Sequence, residues 1–171
     1  MRTGNENNTK LNLQIISGDR PMSEMGVGRP IDALDTACKA WKHCQKCARE
    51  EYGDMCIGEF VKYKFGYKNG DVVCKNNADT CGRSLCECDA LFAKVHSAAK
   101  DVWDQDYHKF WSTTTPQWNS EGSNSCESGS PGSSNFECCR NEAKNSPYIW
   151  YNANQNQCCS DGSVVQNGQF C

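Results

Sequence analysis

The chain is expected to be mainly α and disulfide-rich. Two long antiparallel helices and a two-stranded β-wing form its core, and a small cysteine-rich module follows at the C-terminus. Three observations predict this. Fourteen cysteines in 171 residues are dense enough for a disulfide-built protein. Two stretches, 32–52 and 79–103, repeat apolar residues at steps of three and four, the period of a helix. Between them Asn69-Gly70 separates two β-prone runs, and Asn-Gly accepts the left-handed backbone of a tight hairpin.

The elements follow in order. Residues 1–20 are polar around one apolar stretch, Leu11 to Ile16, and read as a tethered arm with a strand or a turn of helix. The polar start lacks a signal peptide and reads as a mature fragment with an added methionine. Pro21, Gly26, Gly28 and Pro30 make 21–30 a loop. Asp32 or Asp35 caps the first helix, which runs to about Tyr52 with Leu34, Cys38, Trp41, Gln45 and Ala48 on one face. Gly53 ends it. Phe60 to Tyr67 and Val72 to Cys74 form the ribbon. The second helix runs from about Asp79 to Trp103, with Leu85, Cys88, Phe92, Val95 and Ala99 inward.

The core is assigned to 21–118, a Ser/Gly-rich linker to 119–135 and the cysteine-rich module to 136–171. Trp103, Tyr107, Phe110, Trp111 and Trp118 crowd the exit of the second helix. They suit packing of the tail onto the core, with Tyr148, Trp150 and Tyr151 opposite, or a binding face. Adjacent cysteines rarely bond each other, because the small ring is strained. Cys138-Cys139 and Cys158-Cys159 should therefore reach separate partners.

Composition narrows the function. A net charge of −3 does not indicate a nucleic-acid surface. No apolar run approaches the roughly 20 residues of a membrane span. No paired Cys-x-x-Cys motifs stand at zinc-finger spacing, and the three histidines are scattered. Asn7-Asn8-Thr9 is a glycosylation sequon. The acidic run Glu50 to Asp54 reads as a charged helix end. His43, His96 and His108 read as solvated helix histidines.

Two segments carry a resemblance. Pro30 to Cys44 and Leu85 to Asp89 resemble the two catalytic helices of secreted phospholipase A2. The likeness covers about residues 20–100. It implies the disulfides Cys44–Cys88, Cys56–Cys81 and Cys74–Cys86. A further family bond falls on Ala37 and Val95, so both halves are missing. Another would join Cys38 to the loop, where Met22 stands. Cys38 and Cys47 are left over, roughly 13 Å apart along one helix, and are expected to staple the tail.

The same resemblance assigns the chemistry. The family's histidine base falls on Trp41 and its calcium-binding aspartate on Lys42, while Asp89 matches the orienting aspartate. Tyr63 matches one tyrosine of the supporting network, and Gln45 replaces the other. Indole has only a donor N–H, and an ammonium group opposes a divalent cation. Calcium is therefore not expected at the family site, nor is any other cofactor. Asp89 beside Trp41 either anchors a ligand headgroup or takes the indole N–H or Lys42 as a structural partner.

The resulting expectation is a secreted pseudoenzyme that works by binding an extracellular protein, a lipid or a mineral surface. Inactive domains of this kind occur in otoconins, and the tail resembles the dicysteine repeats of galaxin-type matrix proteins, so a biomineral matrix role is one version. A lipid- or protein-binding module using the former substrate channel is the second. Residual calcium-dependent hydrolysis is the third.

Overall fold

The computed structural model describes residues 32–99, 101 and 135–171. The N-terminal arm, the glycine loop, the linker up to residue 134, Trp103 to Trp118, His108 and Cys126 lie outside the described residues, as do the expected boundaries at 20–21 and 118–119.

Helix α1 spans Ala33–Tyr52. Of the two candidate caps, Asp32 is the one used: its Oδ1 accepts from the Asp35 amide at 2.7 Å, which satisfies one orphan N–H of the first turn. Gly53 ends α1 at φ 89°, a backbone that disfavours any side chain. Strands β1, Phe65–Lys68, and β2, Asp71–Cys74, pair antiparallel across Asn69 (φ 54°) and Gly70 (φ 88°). The expected strand over 60–64 does not form. Phe60 and Val61 donate their amides to Ile57 in a turn, and the Lys64 amide donates to the Asn76 side chain at 2.6 Å. Helix α2 spans Cys81–Ala98, starting on the Thr80 cap. It stops short of the expected Trp103, with the Ala99 amide closing on the carbonyls of Val95 and His96.

The helices pack antiparallel, and disulfides supply much of the core. Cys44–Cys88, Cys56–Cys81 and Cys74–Cys86 are formed, as the resemblance implied. Leu85, Ala48 and Tyr148 fill the space around them. Two expected faces need correction. On α1 the buried residues are Ala37, Cys44, Cys47 and Ala48, whereas Leu34, Cys38, Trp41 and Gln45 are half-buried. The stripe is rotated because the tail covers a second side of the helix. On α2 burial ends at Phe92, and Val95 is 37% exposed.

The tail is two hairpins. Strands β3, Phe136–Cys139, and β4, Ile149–Asn152, form the first. Strands β5, Asn156–Cys158, and β6, Val164–Gln166, form the second. Cys139–Cys158 ties them together and Cys159–Cys171 holds the C-terminus, so each adjacent pair does reach separate partners. Cys47–Cys138 staples the tail to α1. Cys38 forms no disulfide among the described residues.

Side chains reinforce that staple. Tyr148 joins the core cluster, and Trp150 lies 3.8 Å, centroid to centroid, from His43 with Phe136 stacked at 4.1 Å on it. His43 is therefore half-buried beneath the tail rather than solvated. Lys144 pairs with Glu51 at 2.8 Å and with Asp79 at 2.6 Å. The Arg140 side chain is buried, donates to the hydroxyls of Tyr52 and Tyr148, and pairs with Glu51. The Tyr148 hydroxyl donates to Glu51. The acidic end of α1 is thus a clamp for the tail.

Candidate functional site

Asp89 is the chemical centre of the core. It sits mid-way along α2, is 8% exposed, and faces α1 across the helix interface. A buried carboxylate requires donors, and three converge on it. The Trp41 indole N–H donates to Oδ1 at 2.6 Å. The Gln45 side-chain amide donates to the same oxygen at 3.3 Å. The Tyr63 hydroxyl donates to Oδ2 at 2.5 Å.

Each donor is placed by its own element. Trp41 and Gln45 stand one helical turn apart on α1, so their side chains reach one point. Tyr63 comes from the segment that leads into β1, which Cys56–Cys81 and Cys74–Cys86 hold against α2. The Trp41 ring leans on Phe92 at a centroid distance of 5.4 Å, which fixes the direction of its N–H.

The electrostatics follow from burial. Desolvation raises the Asp89 pKa above its ordinary value, while the hydrogen bonds from Tyr63, Trp41 and Gln45 pull the other way. Burial also raises the Tyr63 pKa strongly, helped by the Asp89 charge and the hydrogen bond to it, so the phenol keeps its proton. Both carboxylate oxygens are engaged. The indole of Trp41 has no lone pair with which to accept a proton. The arrangement orients and desolvates a ring.

The structure brings Trp41, Asp89 and Tyr63 together as the sequence suggested, and adds Gln45 as a working donor. For Asp89 it selects the indole N–H as the structural partner. Lys42 follows Trp41 on α1, half-buried. His96 packs beside Phe92 at 5.4 Å between ring centroids. The tail clamp was missed: nothing in the sequence spacing links Arg140 or Lys144 to Glu51. Among the described residues, Cys47, Glu50 and Cys138 are the one cluster of metal-ligating types. The two sulfurs are bonded to each other, so no thiolate is available there.

Comparison with known proteins points one way. Residues 22–108 match the phospholipase A2 family. The chain is 34% identical over 95 residues to "Phospholipase A2, membrane associated" of Rattus norvegicus, covering 53% of this chain and 63% of that protein. It is 36% identical over 87 residues to "Acidic phospholipase A2 AplTX-I" of Agkistrodon piscivorus leucostoma, covering 50% and 57%. It is 34% identical over 85 residues to "Acidic phospholipase A2 inhibitor vaspin A chain" of Vipera aspis zinnikeri, again covering 50% and 57%. The chain spans little more than half the length of these curated relatives.

Proposed function

The chain belongs to the phospholipase A2 family, and from that premise we propose that it is an extracellular member that works by binding rather than by hydrolysis. One observation carries the reading. At the position of the family's base, the Trp41 N–H donates to Asp89 at 2.6 Å. In the family mechanism that aspartate holds a histidine, whose free nitrogen takes a proton from water. Here the aspartate holds an indole that has nothing to offer water.

Calcium fails the same test of fit. A calcium ion takes about six to eight oxygen ligands, with carboxylates among them. Lys42 supplies an ammonium group where the ligand carboxylate belongs. Asp89, the nearby carboxylate, already accepts from three donors. We therefore route no step through the ion. Six disulfides among the described residues support an oxidising compartment outside the cytosol, and none of the described helices is long and apolar enough to cross a membrane.

The direct test is hydrolysis of mixed phospholipid vesicles with and without calcium. The expected outcome is no calcium-dependent release of fatty acid. Calcium-dependent turnover that disappears in Asp89→Ala would overturn the reading. The double variant Trp41→His with Lys42→Asp is expected to recover calcium affinity only poorly by calorimetry, since the loop positions Pro21, Ser23 and Met25 also differ from the family pattern.

Two partners are open to the same scaffold. A protein partner is supported by the relative named as a phospholipase A2 inhibitor chain, a family member whose name denotes binding. A biomineral matrix role rests on the resemblance of the tail to dicysteine repeats. Adsorption to calcium carbonate at physiological salt decides the second: retention no greater than a neutral control protein ends it.

A further inference from the structure

A cavity of about 430 Å³ opens between α1, α2 and β4. Trp41 and Phe92 divide it from the Asp89 site, and Asp89, Tyr63 and Gln45 do not line it. Short side chains make the space. Ala37 and Ala40 line its α1 side, Leu91 and Val95 its α2 side. Ala37 and Val95 are also the two positions on which the resemblance places an absent family disulfide. The cavity therefore sits where the two helices lack a cross-link. Its rim is apolar: Leu91, Val95 and Ile149 all line it and are 38%, 37% and 42% exposed. Large apolar side chains gathered at one opening mark a docking surface.

The chain leaves and returns at this opening. Helix α2 ends at Ala98, about one turn past Val95. The chain is described again from Asn135, and the next residue, Phe136, stacks at 4.1 Å on Trp150 of the cavity wall. Residues 102–134 lie between these two points and carry Trp103, Tyr107, Phe110 and Trp111. Those four recur at steps of four, three and one, the anchor spacing with which an amphipathic segment enters an apolar groove. Asp104, Gln105, Asp106, His108 and Lys109 fill the positions between. Reach is ample. The cavity follows α1 from Thr36 to Cys44, about 12 Å of helix, and each residue beyond α2 spans up to about 3.5 Å.

We propose that residues 103–111 of this same chain dock in the cavity, their aromatic side chains against Leu91, Val95 and Ile149. Tethering selects the occupant. A segment joined to the rim by a few residues stands at an effective concentration on the order of millimolar, above that of a dilute free partner. The walls suit it, because Trp41, Phe92 and Trp150 offer rings for edge or offset contact. Docking ties α1 to α2 by packing where the cross-link is absent. The proposal stands apart from the reading of the Asp89 site, since Trp41 is the one Asp89 donor that touches the cavity.

Hydrogen exchange of the full, oxidised chain reads the docking. The amides of 103–111 are expected to be protected. Val95→Asp puts a charge on the rim, and Ala40→Trp fills the space. Each should cut that protection about tenfold or more, the factor for losing roughly one buried apolar side chain, while the helix amides around Cys44 and Cys88 keep theirs. A second measurement serves if both variants misfold. With p-benzoylphenylalanine in place of Ile149, irradiation of the monomer should cross-link position 149 to 103–111, mapped by mass spectrometry. Three results would overturn the assignment: unprotected amides at 103–111 in the parent, unchanged protection in a folded variant, or cross-links that fall elsewhere or join two chains.

Discussion

Asp89 shows what one buried carboxylate costs and what it organises. Asp89→Ala leaves the Trp41 N–H and the Tyr63 hydroxyl without an acceptor, and each buried orphan costs about 1–3 kcal/mol. Urea unfolding should register a loss of about 3 kcal/mol. Asp89→Asn keeps an acceptor for Trp41 and removes the buried charge, so it should fall within about 1 kcal/mol of the parent. The pH dependence separates the two. The folded pKa of Asp89 is raised above its ordinary value of 3.8, so its contribution is greatest below that value and is lost as pH rises through the folded pKa. The parent should therefore gain on Asp89→Asn as the pH is lowered toward 4, in paired denaturation curves. A parent that instead loses ground would contradict the assigned direction.

Short elements here depend on turn residues more than on apolar area. The tail hairpins are three or four residues per strand, too little to hold alone. Gly162 has φ 86°, and an added Cβ would stand 2.7 Å from the Asn141 backbone nitrogen. Gly162→Ala combines left-handed strain with a backbone clash, so it should cost about 2 kcal/mol or more and increase proteolysis of the tail. At Gly70 (φ 88°) nothing lies within 4 Å, so Gly70→Ala carries the strain alone, about 1 kcal/mol. The ordering of the two by thermal unfolding tests whether the close approach matters. Thr80 caps α2 through the Arg83 amide at 3.2 Å, and Thr80→Ala should lower stability by about 1 kcal/mol.

At the scale of the molecule, among the described residues a single disulfide and a charged clamp join the tail to the core, beside the packing of Tyr148 and Trp150. Cys47–Cys138 spans 91 residues, the kind of long loop whose closure constrains the unfolded chain most. With Cys47→Ala and Cys138→Ala together, the Glu51–Arg140–Lys144–Asp79 clamp and the packing of Tyr148 and Trp150 are left to hold the tail. Lys144, then Tyr52, hold the Asp79 carboxyl below its ordinary 3.8. That contribution is present above 3.8 and lost as pH falls through the lowered value, opposite in sign to Asp89. The double variant should keep a protected tail at pH 7 and release it on acidification, read as loss of amide-hydrogen exchange protection over residues 140–151 after correction for the intrinsic pH dependence of exchange. The parent should resist under the same conditions.

The sequence by itself determined the periodic elements and the bonds within the core. Helical spacing, an Asn-Gly turn and six cysteines at family positions need only local geometry and a resemblance, and Trp41 and Lys42 could be read where they stand. Tertiary structure decided which donors meet at Asp89, which side of α1 the tail covers, and why His43 is half-buried. Those outcomes depend on contacts between residues such as Glu51 and Arg140, or His43 and Trp150, roughly 90 to 110 positions apart. No repeat or spacing in a chain records such distances; they exist only once the disulfides and packing have brought the segments together.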